Sequence, residues 1–200
     1  MKGASSQFDW SGGHPALDLV NTVDERPSGT PIELLPTYGD LVRFAELDEL
    51  IEPTLAEKLR QMSGPACSRA VRRARNIREH LFTILTALRT DSTVAQDSLD
   101  AIALEVRCAH SARALASTRQ RGVIVHCWVL PISPDVAVHA CALAIENLLV
   151  SVDHARIRKC GADDCAVFFI DASKSHRRQW CSMQNCGNRE KQRRWRSGRD

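Results

Sequence analysis

The chain has 200 residues and a mass of 22.2 kDa, and 44% of its residues are apolar and 26% charged. This composition excludes a largely disordered chain, and the length allows one domain with a small appendage or two small domains. No apolar run is long enough for a membrane span, and the first residues lack the apolar stretch of a secretory signal. We therefore expect a cytoplasmic protein whose cysteines are thiols or metal ligands.

The first part of the chain carries the start signals of four helices. Pro15, Pro53 and Pro65 stand where first helical turns begin, a position that tolerates the missing amide of proline. Thr37 and Asp40 have the spacing of a capping box, which begins another helix. After Pro65 the apolar residues recur at helical spacing, which predicts a long helix.

The predicted helical domain continues with one β-hairpin. An Ala-rich helix is expected over residues 93–111. The β-branched and aromatic residues of 123–130 predict a strand that pairs with 113–117. Ser133 then precedes a helix that runs to about Val152. Because this last helix is apolar over most of its surface, we expect it at the centre of the core.

Charge is distributed unevenly along the chain. Residues 1–150 contain 15 Lys and Arg against 18 Asp and Glu, whereas residues 151–200 contain 12 against 6, so the net charges are −3 and +6. Because the composition changes near Asp153, we divide the chain into domains 1–152 and 153–200. A basic segment of this kind indicates an anionic partner, nucleic acid first, although a solvated basic surface would look the same.

Four of the eight cysteines lie in one stretch of 27 residues within the basic segment. Their spacing is Cys-x4-Cys, x15, Cys-x4-Cys, and they are Cys160, Cys165, Cys181 and Cys186. Zn²⁺ takes four soft donors in a tetrahedron, and two short cysteine loops separated by a hairpin-length spacer supply them. We predict one structural zinc ion, because four thiolates leave no open position for water or substrate.

The residues around these cysteines predict a treble-clef-like module. Residues 166–171 and 177–181 would form a hairpin between the two cysteine loops, and a helix would follow the last cysteine. A module of roughly 40 residues cannot bury a sufficient core, so the metal must supply folding energy. His176 is expected at the surface or on a phosphate, not on the metal. Three aromatic residues are expected to pack around the site: Phe168, Phe169 and Trp180.

The last helix is predicted to carry a basic stripe. Arg189, Arg193 and Arg196 are spaced i, i+4, i+7, and the segment from Lys174 to Arg199 has nine basic residues and one acidic residue. Such a density suits phosphate neutralisation. The candidate DNA-contacting residues are Lys174, Arg177, Arg178, Arg189, Lys191, Arg193, Arg194 and Arg196.

Two alternatives stay open for these residues. Four residues near the cysteines could instead compensate the negative charge of a four-thiolate zinc site: Lys159, Arg177, Arg178 and Arg189. Trp195 lies within the basic run, and we expect it to pack against the zinc module in preference to nucleic acid.

Three polar residues near the amino terminus could share one helix face. His14, Asp18 and Asn21 are spaced i, i+4, i+7. They could line a small-molecule pocket, or they could form a buried polar network or helix caps. His14 with Asp18 also permits a general base, but no nucleophile, phosphate loop or open metal site accompanies them, so we do not expect an enzyme.

Two stretches carry a resemblance to known families. Residues 156–191 read R-I-R-K-C-G-A-D-D-C-A-V-F-F-I-D-A-S-K-S-H-R-R-Q-W-C-S-M-Q-N-C-G-N-R-E-K. They resemble the CGNR zinc finger, which is named for four residues that stand here at 186–189. Residues 12–23, G-G-H-P-A-L-D-L-V-N-T-V, resemble the opening of the ABATE domain. The resemblance implies a bacterial, stress-related transcription regulator, in which the four clustered cysteines are the metal ligands.

The sequence as a whole predicts a mainly α fold with a small β-hairpin, in the α+β class. A helical amino-terminal domain, which could sense a small-molecule effector, would be followed by a four-cysteine zinc finger that presents a basic helix to DNA. The alternative is a zinc-finger module for protein or RNA interaction without sequence-specific DNA binding. A homodimer is a reasonable expectation, because one finger with one helix buries little DNA surface.

Overall fold

The computed structural model describes residues 7–118, 122–151 and 154–198. Within these residues the protein is mainly α-helical, as the sequence predicts, with small antiparallel strand pairs. None of the helices in the described part of the chain has an apolar stretch long enough to cross a membrane. The helices are α1 (Pro15–Val20), α2 (Tyr38–Leu47), α3 (Pro53–Arg60), α4 (Pro65–Arg89), α5 (Gln96–Ser111), α6 (Val136–Ser151) and α7 (Asn188–Arg196).

Three antiparallel strand pairs accompany the helices in the described residues. Each strand is short, from two to five residues. The pairs are β1 (Val23–Asp24) with β2 (Ile32–Glu33), β3 (Arg113–Ser117) with β4 (Ile124–Trp128), and β5 (Ile157–Lys159) with β6 (Phe168–Ile170).

The predicted helix starts are confirmed. Pro15, Pro53 and Pro65 each occupy the first turn of a helix. The capping box of α2 is complete, because Thr37 Oγ1 accepts from the amide of Asp40 at 3.2 Å and the Thr37 amide donates to Asp40 Oδ2 at 3.0 Å. These local signals fix where the chain enters the helical bundle.

Helix α6 lies at the centre of the helical domain, as its apolar composition predicts. It packs against α1, α2, α4 and α5, and fully buried residues such as Cys141 and Leu148 face this core. The predicted hairpin is also confirmed, since β3 and β4 pair from Arg113–Trp128 to Ser117–Ile124. The expected helix end at Val152 and the domain boundary at Asp153 lie outside the described residues.

The predicted hairpin within the cysteine module is wrong. Strand β6 pairs with the upstream strand β5, from Ile157–Ile170 to Lys159–Phe168, and not with residues 177–181. Those residues follow an irregular path. The amide of Arg178 donates to the side chain of Asp171 at 2.9 Å, which takes that donor away from a strand ladder.

The two phenylalanines of β6 enter different cores. Successive side chains of a strand point to opposite faces. Phe169 therefore packs with the cysteines, but Phe168 packs into the helical domain, where its ring meets Phe82 edge-on at 5.7 Å. The expectation that Phe168 surrounds the metal is wrong. Ile157 of β5 joins the same core as Phe168, so the two domains share buried apolar surface.

Candidate metal centre and basic surface

The four clustered cysteines converge on one point. Their Sγ atoms all lie within 4.8 Å of one another. Cys165 and Cys181 are 3.9 Å apart, and Cys181 and Cys186 are 3.5 Å apart. A tetrahedral ion with Zn–S bonds of about 2.3 Å needs sulfur–sulfur distances of about 3.8 Å. The donor set and its spacing therefore fit a zinc ion held by Cys160, Cys165, Cys181 and Cys186.

Backbone contacts bring the two cysteine loops together. The amide of Gly161 donates to the carbonyl of Gln179 at 2.9 Å, and the Trp180 ring packs over Gly161 and Gly187. A Cβ at Gly161 would lie 3.3 Å from this ring, and one at Gly187 would lie 2.8 Å from the sulfur of Met183. Trp180 packs beside the cysteines, as expected, and close approach explains both glycines.

The pKa values of the clustered thiols indicate a site that suits a divalent cation. The neighbouring sulfurs of Cys165 and Cys181, together with backbone amides, hold the pKa of Cys160 well below its usual range. Its thiolate in turn raises the pKa of Cys181 far above that of a free thiol. All four sulfurs can ionise together only when a cation compensates them. The cluster is chemically suited to bind a metal, and four sulfur ligands would leave no open position for water or substrate.

Three of the eight candidate DNA-contacting residues have hydrogen-bond or ion-pair partners inside the module, and a fourth, Arg194, lies over the Trp180 ring at 6.0 Å. Arg189 donates to Asp164 at 2.8 Å and to Cys186 Sγ at 3.3 Å. Arg193 pairs with Asp163 at 2.7 Å and with Glu190 at 2.9 Å. Arg178 donates to the carbonyls of Trp180 and Cys181, which fixes the backbone beside a ligand. These arginines contact the metal loops, an alternative that the sequence left open for Arg178 and Arg189.

The other five candidate residues are exposed. Within the residues that the structure describes, none of them has a carboxylate partner. They are Lys174, Arg177, Lys191, Arg194 and Arg196. Their charges are available to a partner.

Two family models match the chain, one for each part. Residues 13–151 match ABATE, described as "Putative stress-induced transcription regulator". The chain belongs to the ABATE family. Residues 156–199 match the CGNR zinc finger, so both resemblances seen in the sequence are confirmed. No protein with curated annotation matches the chain.

Trp195 of the CGNR finger is in a different environment from the one expected. Its residue surface is 80% exposed, so the expectation that it packs against the zinc module is wrong. The buried side of α7 is marked by Glu190, which is 4% exposed. Five residues along an α-helix turn the side chain by about 140°, and this rotation directs Trp195 away from the module.

His14, Asp18 and Asn21 of the ABATE domain all have partners within the protein. His14 Nδ1 accepts from the amide of Ala16 at 3.1 Å and caps α1. Its Nε2 lies 3.0 Å from Asn147 Oδ1. Asp18 Oδ1 accepts from the amide of Gly12 at 2.9 Å. This arrangement matches the alternative of a buried network and caps, and ligand binding by these residues stays a prediction.

Asn21 ties the two domains together. Its Nδ2 donates to the carbonyl of Phe168, and its Oδ1 accepts from the Phe168 amide, both at 2.9 Å. Asn21 thus pairs with the free edge of β6 as a strand residue would. The amide of Ile170 also donates to the carbonyl of Gly12 at 2.8 Å. The finger is therefore docked on the residues that flank α1, through two side-chain bonds of Asn21 and one backbone bond of Gly12, as well as through Phe168.

Asp171 organises the return path to the second cysteine loop, a role that sequence reasoning missed. It is fully buried. Its Oδ1 accepts from the hydroxyl and amide of Ser173 at 2.6 and 2.9 Å, and its Oδ2 accepts from the amide of Arg178. These bonds, that of the Ser173 hydroxyl first, lower the pKa of Asp171 to about 2. The spacing Asp171-x-Ser173 is a turn signal that could have indicated it.

We expect Asp171→Asn to weaken zinc binding by about tenfold. The side-chain NH₂ of Asn cannot accept a hydrogen bond, so one of the donors that now bond to Asp171, the Ser173 hydroxyl or the Arg178 amide, would lose its partner. The segment that leads to Cys181 would then be less well fixed. Competition with a chromophoric chelator measures the effect. Asp163→Asn is the matched control, because Asp163 is exposed on the same module. Equal zinc affinities for the two variants would show that Asp171 does not position the ligands.

Proposed function

We propose that the protein is a transcription regulator that binds duplex DNA through its zinc-ordered CGNR finger. One observation carries this proposal: the module that contains the four-cysteine cluster exposes five basic side chains with no carboxylate partner in the described residues. A cation that the protein does not neutralise itself is free to replace the counterions of a phosphate backbone.

The ABATE family description supports the regulatory part of this proposal. The finger supplies the DNA contact, and the ABATE domain holds the finger through β6 and α1. An effector of the ABATE domain, a homodimer and a single zinc ion per chain belong to the same proposal. An effector that shifts α1 would act on the finger directly, since Asn21 links the two.

We expect the zinc-loaded full chain to bind duplex DNA with an affinity that falls steeply as salt rises from about 50 to 200 mM. Fluorescence anisotropy with a labelled mixed-sequence duplex measures this, with chelator-treated protein as the control. Absence of binding at low salt would contradict the proposal. Selection of duplexes from a random pool then reports whether the site is palindromic, as a homodimer requires.

A second candidate function is RNA binding, which Trp195 favours. Its exposed indole lies between Arg194 and Arg196 on α7. An aromatic ring among cations is typical of surfaces that stack unpaired bases. Tighter binding of single-stranded RNA than of duplex DNA in the same anisotropy assay would favour this candidate over the first.

A further inference from the structure

A basic groove of about 560 Å³ crosses the finger, apart from the stripe that the sequence predicted on α7. Its walls come from β5 and from residues 176–180, and Arg194 of α7 lines it as well. Arg89, the last residue of α4 in the ABATE domain, also lines the groove. The groove therefore spans both domains.

The lining of the groove is entirely free of carboxylates within the described residues. Six arginines and lysines take part, together with His176. They are Arg89, Arg158, Lys159, Arg177, Arg178 and Arg194. Arg178 holds backbone carbonyls, but Arg89, Lys159, Arg177 and Arg194 are exposed and have no acidic partner in the part of the chain that the structure describes. Such a concentration of unpaired cations attracts a polyanion.

No acidic residue of the described part of the finger lines the groove, but Asp163 and Glu190 border an adjoining pocket that shares Trp180 and Arg194 with it. Asp163 and Asp164 neutralise Arg193 and Arg189 of α7. A second pocket, of about 540 Å³, shares no lining residue with the groove and includes Asp164 beside Asp9, Asp24 and Glu25. That acidic surface repels phosphate. The carboxylate-free lining therefore makes the groove better suited to a polyanion than the acidic surface is.

We propose that the phosphate backbone of duplex DNA lies in this groove, with Arg89 of the ABATE domain as one of its contacts. The inference rests on the proposed function and deepens it. Of the five exposed cations without a carboxylate partner, it keeps Arg177 and Arg194 in the site, and it places Lys174, Lys191 and Arg196 outside the groove. The ABATE domain then contributes directly to DNA affinity, in addition to any regulation of the finger.

The fold keeps Arg89 in place relative to the finger. The last turn of α4 and the finger segment around Ile157 line one small cavity of about 130 Å³, which Arg89 also borders. Ile157 and Phe168 are buried in the core of the ABATE domain. Because the two domains are held by packing and by the Asn21 bonds, the distance between Arg89 and the finger cations is set by the structure.

The test compares two double variants that remove the same charge. Lys159→Ala with Arg177→Ala removes cations from the groove, and Lys174→Ala with Lys191→Ala removes exposed cations outside it. Anisotropy with the zinc-loaded full chain and a mixed-sequence duplex gives the affinity and its salt slope. We expect the groove variant to bind about tenfold more weakly or worse and its salt slope to fall by about 2, and the control to change much less.

A single variant tests the part played by the ABATE domain. Arg89→Ala should lower the salt slope by about 1, whereas Arg107→Ala, which removes an exposed cation of α5 outside the groove, should leave it unchanged. Zinc content and thermal unfolding are measured for every variant, and both should match the wild type.

The outcomes separate this inference from the proposed function. Wild-type protein that ignores duplex DNA at low salt overturns both. DNA binding that is weakened equally by the groove variant and its control, or only by the control, overturns the groove and leaves the proposed function standing. Preference for single-stranded RNA in the groove also contradicts the inference, because it is made for duplex DNA.

Discussion

Cys181→Ser is expected to abolish tight zinc binding and to unfold the finger over residues 156–198. Cys181 is buried, and its sulfur lies against those of Cys165 and Cys186, so its loss removes a central ligand. A structural zinc ion supplies about 10–16 kcal/mol of apparent binding free energy, which a module with so small a core cannot replace. Hydrogen exchange measured by mass spectrometry should show fast exchange throughout α7.

The matched control for this variant is Cys108→Ser. Cys108 is a half-buried thiol of α5 outside the cluster. This change should leave the zinc content and the protection of α7 at wild-type values. Native protection of α7 in Cys181→Ser would contradict the account, because the finger would then fold without its metal.

Phe168→Ala is expected to destabilise both domains by about 3–5 kcal/mol. Phe168 belongs to the finger sequence but is fully buried in the ABATE core against Phe82. Removing its ring leaves a cavity where the domains meet, so the thermal transition of the ABATE helices should shift with that of the finger. Calorimetry of the zinc-loaded protein measures the shift.

Phe168→Leu is the control for this change, since it keeps most of the apolar volume and should cost much less. Unfolding of the finger alone in Phe168→Ala, with the transition of the ABATE helices unchanged, would contradict the shared core. Asn21 provides an independent check, because its loss leaves the amide and carbonyl of Phe168 without these hydrogen bonds.

The features that the sequence predicted correctly depend on short-range chemistry. The capping box at Thr37 and the prolines at three helix starts act within one turn. The four cysteines are recognisable because a metal site requires certain donors at certain spacings, whatever surrounds them. The apolar composition of α6 likewise predicts its central place without knowledge of its neighbours.

The wrong expectations all concern contacts between segments distant in sequence. Residues 166–171 have the composition of a strand, but composition does not select the partner. In the structure β6 pairs with β5, and Asn21 and Gly12 occupy its other edge. The outward direction of Trp195 depends on which face of α7 is buried. The sequence of so polar a helix has too few apolar residues to identify that face.

The same limit applies to charge. Counting basic residues predicts a stripe on α7, but it does not reveal that Asp163 and Asp164 of the first cysteine loop neutralise two members of that stripe. Nor does it place Arg89, far away in the chain, beside the finger. The net charge of the sequence identifies the segment that suits an anionic partner. Which face of that segment keeps unpaired cations depends on where the acidic residues lie in the structure.

Elemental analysis of the native full-length protein tests the central claim, that four cysteines close around a metal and thereby order the basic finger. We expect one zinc ion per chain, which is retained through purification; a strong chelator should remove it and abolish the protection of α7 from exchange. Native protein that contains no metal, yet keeps α7 protected from exchange, would contradict it.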